Sequence, residues 1–119
     1  MKLTKDFSRE EFSCNCNCGM DTVDAELLNI LQRLRDYYKV TVIITSGNRC
    51  SDYNEQIGGA KSSYHTKSRA ADFKVQGQTS EDVYKLLDSW YPDQYGLGVY
   101  SGWVHLDTRS GAKARWDMR

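Results

Sequence analysis

Two histidines and one aspartate are the residues of this chain best suited to binding a metal ion. His65 and Asp72 lie seven positions apart, and His105, the only other histidine, belongs to an alternating segment that ends at Asp107. Imidazole nitrogen and carboxylate oxygen are zinc ligands, and a catalytic zinc site has three protein ligands and one open position. Such a site activates water and polarises a carbonyl group. These residue types predict an open zinc site, although a histidine taken alone is more often a surface or structural residue.

Four cysteines form a second group of candidate ligands. Cys14, Cys16 and Cys18 alternate within five residues, whereas Cys50 lies far along the chain. Four thiolates can hold a structural zinc ion, but the C-x-C-x-C spacing differs from the C-x-x-C spacing of common zinc knuckles. A disulfide from Cys50 to one of the other three, or four reduced thiols, also fits the sequence. These alternatives remain open at this point.

Length and charge restrict the class of protein. A chain of 119 residues favours one domain, residues 1–119, with residues 1–20 as an N-terminal capping segment that contains cysteines. The 16 basic and 16 acidic side chains give a formal net charge of zero, which argues against nucleic-acid binding. No apolar segment reaches membrane-spanning length, and the N-terminus lacks the apolar core of a secretion signal. We therefore expect a monomer that is made in the cytoplasm without a signal peptide and has no membrane or nucleic-acid partner.

Two amphipathic helices are predicted, and they would support the sheet that carries the candidate ligands. Apolar residues recur at three- and four-residue steps over positions 23–38, and Asp21 or Thr22 is the expected N-cap. A second helix is predicted from Thr79 to about position 90, with apolar residues along one edge. We expect both helices to bury their apolar sides against a sheet.

Strand-like segments lie between and after these helices. The β-branched segment 40–45 predicts a buried central strand that ends at the turn Ser46-Gly47-Asn48, and Arg49 follows directly. An arginine there can bind a carboxylate through two hydrogen bonds, or it can form an ordinary surface ion pair. Further alternating segments are 69–75, 96–100, 103–107 and, as an edge strand, 112–116. The expected fold class is α+β, a single small domain with a mainly antiparallel sheet and two principal helices packed on one side.

Several short motifs occur in the order found in a known family. They are Ser46-Gly47-Asn48-Arg49, Tyr53-Asn54, Gly58-Gly59-Ala60, Ser63-Tyr64-His65, Ala70-Ala71-Asp72 and His105-Leu106-Asp107. Over roughly residues 7–116 the chain resembles the zinc D-Ala-D-Ala carboxypeptidase family, which also holds phage L-alanyl-D-glutamate endopeptidases and is related to the hedgehog signalling domain. The spaced set is more specific than any one of its motifs.

The resemblance implies a fold, an activity and a role for each matching residue. His65, Asp72 and His105 would be the ligands of one catalytic zinc ion. Arg49 would steady the carbonyl oxygen or carboxylate of the substrate, and Ser63 would hydrogen-bond the bound peptide. The family cleaves stem peptides of bacterial peptidoglycan, often next to a D-amino acid. We therefore expect a zinc metallopeptidase, either a carboxypeptidase or an endopeptidase, that acts at the cell wall after release or export. A phage or prophage lysis enzyme, or a domain of a larger wall hydrolase, would have this short form.

Two positions depart from the motif of the resembling family. Ser68 stands where the family has a glycine, which would alter the loop there. Gly102 stands three residues before the last histidine, where relatives commonly have an acidic catalytic base. Asp107 is then the nearest candidate for a general base. Alternatively, it orients His105 or Arg49 without contacting the metal itself. The alternative to an enzyme is a catalytically silent zinc-binding or wall-binding module of the same fold, and a third hypothesis places the functional centre at the cysteines.

Overall fold

A sheet covered by helices on one face is the main feature of the computed structural model, which describes residues 2–59 and 63–119. The helices are α1 Ala25–Tyr38, α2 Ser51–Gln56 and α3 Ser80–Trp90, with 3-10 helices at Arg9–Phe12 and Tyr64–Lys67. The strands are β1 Val42–Ser46, β2 Ala70–Val75, β3 Gly96–Val99, β4 Val104–Asp107 and β5 Ala114–Asp117. Among the described residues, no helix has the length and apolar character needed to cross a lipid bilayer. Ala60 of the Gly58-Gly59-Ala60 motif lies outside the described residues.

The strand order of the sheet is β1-β2-β4-β3-β5. The pairs β1-β2, β2-β4 and β4-β3 are antiparallel, and β3-β5 is parallel. The register sets Asp72 of β2 opposite His105 of β4, and Gly98 of β3 lies on the other side of His105. The predicted α+β class with a mainly antiparallel sheet is therefore confirmed.

The two faces of the sheet carry different side chains, because successive residues of a strand point to opposite faces. Phe73, Leu97 and Leu106 belong to the main apolar core, which also contains the buried sides of α1 and α3. Asp72 and His105 alternate with these core residues and therefore point to the opposite face. The helices thus stabilise one face, and the polar residues of the other face are left to form a site.

The first strand differs from the prediction in its place within the sheet. β1 is an outer strand, so the expectation of a central strand over residues 40–45 is wrong. Val42 is buried, whereas the next residue, Ile43, is 49% exposed. β-branched residues favour strands in general, because they fit a pleated surface. Their presence does not show whether both strand edges will find a partner.

The long helices begin at polar N-caps, one of which lies later than predicted. The N-cap of α1 is Asp24, so the expectation of Asp21 or Thr22 is wrong by two or three residues. The Asp24 carboxylate accepts a hydrogen bond from the backbone N–H of Leu27, in the first turn of the helix, at 3.1 Å. It accepts a second from the Thr108 hydroxyl at 2.8 Å. This second bond comes from a distant part of the chain, which helix periodicity cannot reveal. The N-cap of α3 is Thr79, as predicted.

Candidate metal centre

His65, Asp72 and His105 line a pocket of about 580 Å³ on the face of the sheet that is not covered by α1 and α3. One candidate ligand atom of each lies within 4.8 Å of those of the other two. All three residues are buried, with His65 only 2% exposed. Asp72 and His105 come together because they are paired across β2 and β4, and the second 3-10 helix supplies His65. The fold therefore brings the three predicted ligands into one group.

His65 is oriented by the protein backbone. Its Nδ1 lies 2.7 Å from the carbonyl oxygen of Gly47, and a carbonyl can only accept a hydrogen bond, so Nδ1 carries the proton. Nε2 then presents a lone pair that is buried and has no hydrogen-bond partner among the described residues. This atom lies 3.3 Å from Oδ1 of Asp72. A buried lone pair that faces a carboxylate is unfavourable unless a proton or a metal cation lies between them.

His105 is oriented by a carboxylate on its own strand. Its Nε2 donates to Oδ2 of Asp107 at 2.8 Å, and its Nδ1 lies 3.0 Å from Oδ1 of Asp72. Asp107 is fully buried, and Arg109 donates three further hydrogen bonds to it, from Nε at 2.7 Å, from Nη2 at 2.8 Å and from the backbone at 3.2 Å. Asp107 is therefore a fixed acceptor that turns Nδ1 of His105 toward Asp72.

The arrangement of these groups fits a zinc ion. Nε2 of His65, Oδ1 of Asp72 and Nδ1 of His105 are three acceptor atoms that face one another. The outer ring N–H groups point to the carbonyl of Gly47 and the carboxylate of Asp107, as is usual for histidines that bind zinc. Three ligands of nitrogen and oxygen at the base of an open pocket are also typical of catalytic zinc sites.

The electrostatics of the pocket follow from the same contacts. Burial would raise the pKa of Asp72, but the imidazole rings of His105 and His65, at 3.0 and 3.3 Å from its Oδ1, hold that pKa well below its usual value. The pKa of Asp107 is also lowered, because hydrogen bonds with Arg109 and His105 outweigh its burial. Burial would lower the pKa of His105, but Asp107 and Asp72 together raise it. Both carboxylates are therefore ionised at neutral pH, and a proton competes with any cation for His105.

Arg49 reaches the pocket from the loop after β1. Its Nη2 lies 3.2 Å from Oδ2 of Asp72, the carboxylate oxygen that the two histidines leave free. Its Nε donates to Oγ of Ser46 at 3.3 Å, and its Nη1 donates to Oδ1 of Asn54 at 3.4 Å. The guanidinium is thus held on three sides, yet it still lines the pocket.

Two other positions singled out in the sequence lie in or near the loops around the pocket, whereas Gly102 does not line it. Ser63 lines the pocket, and its Oγ accepts a hydrogen bond from the backbone of His65 at 3.2 Å. Ser68 has a φ of 60°, a left-handed conformation that glycine adopts most readily, so the loop keeps a shape that suits the glycine of the resembling family. Gly102 is exposed, and no described atom outside its chain neighbours lies within 4 Å of where its Cβ would be.

One wall of the pocket consists of aromatic and cationic residues that belong to no predicted site. These are Tyr64, Lys67, Tyr100, Arg109 and Trp116. The indole Nε1 of Trp116 donates to the hydroxyl of Tyr100 at 2.9 Å, and the Arg109 guanidinium lies 4.7 Å from the ring centre of Tyr64. Arg109 lies two residues after Asp107, so the strand alternation, continued past Asp107, predicts that Arg109 points to the same face. Trp116 has no such signal, because its place depends on the parallel pairing of β5 with β3.

Two glycines of β3 make room for this side of the pocket. A Cβ at Gly96 would overlap the carboxylate of Asp107, and a Cβ at Gly98 would overlap the indole of Trp116. Glycine within a strand commonly marks a close approach of this kind. The two glycines therefore shape the site through the space that they leave for Asp107 and Trp116, although neither glycine carries a functional group.

The four cysteines form a second group beside the loop that carries Arg49. Their sulfur atoms all lie within 4.8 Å of one another. All four are free thiols in the structure, and Cys14 is the only one of them that is buried. The structure thus brings Cys50 close to the other three cysteines, as both the structural zinc ion and the disulfide require.

Comparisons with known proteins place the chain among peptidases. The family model described as Peptidase M15 matches residues 5–107. The peptidoglycan L,D-endopeptidase MepK of Escherichia coli (strain K12) is 32% identical over 102 residues, which cover 80% of this chain and 55% of that protein. Proteins of the same name from Escherichia coli O157:H7 and Shigella flexneri have the same identity and coverage. The chain thus spans about half the length of the curated relatives that it matches, and no solved structure gives a significant match.

Proposed function

Because the chain belongs to the peptidase M15 family, we propose that it is a zinc-dependent peptidase that hydrolyses peptide bonds in the stem peptides of bacterial peptidoglycan. The observation that carries this proposal is the convergence of three acceptor atoms, Nε2 of His65, Oδ1 of Asp72 and Nδ1 of His105, in an open pocket. A zinc ion held by these atoms would supply a Lewis acid for the scissile carbonyl and would lower the pKa of water.

Arg49 is assigned the binding of a substrate oxygen, either the scissile carbonyl oxygen or a terminal carboxylate. Its guanidinium faces the pocket and is held by Ser46, Asn54 and Asp72 before any substrate arrives. A donor that is already fixed can stabilise developing negative charge without the cost of reorganisation. The Ser63 hydroxyl, which also lines the pocket, is assigned a hydrogen bond to the bound peptide.

We assign to Asp107 the role of positioning His105, and not the role of a general base. Four hydrogen bonds, one from His105 and three from Arg109, already engage its two oxygens, and the residue is fully buried. A general base needs an acceptor within reach of the proton that it removes. A carboxylate held in this way is better suited to fixing the ring of His105 and its tautomer.

The relatives and the pocket wall support the proposed substrate class. MepK is named as an L,D-endopeptidase, which favours cleavage within a wall peptide over removal of a terminal residue. The cationic groups of Lys67 and Arg109 suit peptide carboxylates, and the rings of Tyr64, Tyr100 and Trp116 suit apolar surface. The proposed place of action is accordingly the bacterial cell wall.

A zinc-binding module without turnover is the second candidate function. Among the described residues that line the pocket, Asp72 and Asp107 are the only acidic ones, and both carboxylates are already engaged. Gly102 offers no side chain at the position where the resembling family commonly has an acidic residue. A pocket with this composition could bind a wall peptide and not cleave it.

One experiment separates these two functions. The full chain is treated with a chelator, divided, and incubated with purified wall peptides with and without added zinc, and the products are identified by mass spectrometry. We expect cleavage only with zinc, and we expect His65→Ala to lose one bound zinc and all cleavage. Lys74→Ala, a matched change at an exposed residue of β2, should keep both. Zinc binding without cleavage of any wall peptide would support the module, and no zinc at the histidines would refute both functions.

A further inference from the structure

The sulfur atoms of Cys14, Cys16, Cys18 and Cys50 converge at distances that suit a shared metal ion. Sγ of Cys16 lies 3.3 Å from Sγ of Cys14 and 3.5 Å from Sγ of Cys50, and all four sulfurs lie within 4.8 Å of one another. Four sulfurs bound to one tetrahedral zinc ion at about 2.3 Å are separated from each other by about 3.8 Å. We propose that these four cysteines hold a structural zinc ion, separate from the ion at the histidines.

The backbone of the loop explains how the unusual C-x-C-x-C spacing can serve one ion. Asn17 and Gly19 both have positive φ angles, 65° and 90°, so the chain turns sharply within the cysteine segment. The backbone N–H of Asn17 bonds to the carbonyl of Cys14 at 3.1 Å, and the N–H of Cys14 bonds to the carbonyl of Met20 at 2.8 Å. The segment is therefore a closed loop, in which alternate side chains can point toward a common centre.

Backbone donors point at two of the sulfurs. The N–H of Cys50 lies 3.4 Å from Sγ of Cys14, and the N–H of Tyr53 lies 3.4 Å from Sγ of Cys50. Such donors fix the positions of the two sulfurs and suit the negative charge of a metal-bound thiolate. Thiolate is the form of cysteine that binds zinc.

A disulfide accounts for the group less completely. A disulfide requires two sulfurs at about 2.0 Å and would leave the other two cysteines without a role. Four sulfurs in a tetrahedral group are instead typical of zinc or iron–sulfur sites. All four sulfurs lie within 4.8 Å of one another, which leaves room for one ion between them, so a single zinc ion is the ligand that we assign.

The proposed ion would connect the N-terminal segment to the loop after β1. Cys50 is the neighbour of Arg49, which contacts Asp72, and the same loop contains Gly47, whose carbonyl holds His65. The loop is already attached to the N-terminal segment by hydrogen bonds from Asn48 to the carbonyl of Phe12 at 2.9 and 3.0 Å. A zinc ion at the cysteines would add a second attachment and would keep the loop in position beside the pocket.

The test is the zinc stoichiometry of the full chain, measured by native mass spectrometry after purification under reducing conditions with zinc present. We expect two zinc ions in the wild type and one in His65→Ala. We also expect one in Cys16→Ser, whereas Asn15→Ala, a matched change at an exposed residue of the same loop, should keep two. The His65→Ala result needs no change at the cysteines, so it decides the question even if Cys16→Ser does not fold.

Cobalt substitution identifies the ligands of the ion that remains in His65→Ala. Tetrahedral thiolate sites give intense thiolate-to-cobalt charge-transfer bands, which sites made of nitrogen and oxygen lack, and we expect these bands in His65→Ala. A His65→Ala protein with no metal, a cobalt spectrum without thiolate bands, or an intact mass that shows a disulfide in the reduced preparation would each overturn the proposal. Because these readouts need no substrate, their outcome is independent of whether the chain cleaves wall peptides.

Discussion

His105 Nε2 lies 2.8 Å from Oδ2 of Asp107, two residues further along β4, and Arg109 holds the same carboxylate through a two-pronged contact. The strand geometry makes this possible, because residues two apart lie on the same face. Gly96, on the neighbouring strand, leaves the space that the carboxylate fills. The orientation of the His105 ring therefore depends on Asp107, Arg109 and Gly96, none of which is one of the three predicted metal ligands.

The first prediction concerns Asp107→Asn. An amide has one acceptor oxygen in place of two, so it cannot satisfy both His105 and Arg109. We expect the zinc affinity of the histidine site to fall about 10–100-fold, since removal of an outer partner of a metal-binding histidine commonly has this effect. The affinity is measured by competition with a chelator of known strength. Asp93→Asn, at an exposed turn, is the matched control, and an unchanged affinity in Asp107→Asn would show that Asp107 does not position the ring.

The second prediction concerns Arg49→Lys. Lysine keeps the positive charge but lacks the planar guanidinium that contacts Ser46, Asn54 and Asp72 together. We expect kcat/KM for a wall peptide to fall about 100-fold, in the range found when a single donor to a developing negative charge is removed. Bound zinc should stay at the wild-type level, and Arg33→Lys, the same change at an exposed residue of α1, should have no effect. Loss of zinc in Arg49→Lys would instead show that Arg49 acts on the metal ligands.

The third prediction is a double-mutant cycle between Gly98 and Trp116. A Cβ at Gly98 would overlap the indole of Trp116, so Gly98→Ala should lower the free energy of unfolding by about 1–3 kcal/mol. In a Trp116→Ala background the same change should cost much less, because the overlapping ring is gone. Urea unfolding measures all four proteins. Gly102→Ala, where the space is open, is the control, and strict additivity would contradict the close contact.

The fourth prediction compares two aspartates before α1. Asp24→Ala removes the N-cap of the helix and the acceptor of the Thr108 hydroxyl, so we expect the free energy of unfolding to fall by about 1–2 kcal/mol. Asp21→Ala, at one of the positions that the sequence favours for the cap, should change it by less than about 0.5 kcal/mol. Both values come from urea unfolding followed by circular dichroism. A larger loss in Asp21→Ala than in Asp24→Ala would mean that the helix begins earlier in solution.

The grouping of His65, Asp72 and His105 could be anticipated from the sequence for a physical reason. Asp72 and His105 belong to strands with clear alternation, so each has a defined face before any pairing is known. His65 lies in a short 3-10 helix outside the sheet, and only the resemblance to a known family connects it to the other two. Local pattern therefore accounts for two of the three positions, and motif order accounts for the third.

The features that could not be anticipated depend on pairings between distant segments. The outer position of β1 follows from strand order, which a β-branched segment does not encode. Trp116 reaches the pocket because β5 runs parallel to β3, and Asp24 caps α1 partly because Thr108 lies near it. In each case the local signal predicted the type of element correctly and left its neighbours undetermined.

The carbonyl oxygen of Gly47 holds His65 in its tautomer, and every amino acid has such an oxygen. A scan that replaces side chains one at a time would find position 47 sensitive, because an added Cβ would lie 2.7 Å from the backbone of Phe12. It would attribute that sensitivity to crowding and would not detect the acceptor. Only an edit of the main chain, such as an ester or thioamide in place of the amide at this residue, would reveal what the oxygen does for the imidazole.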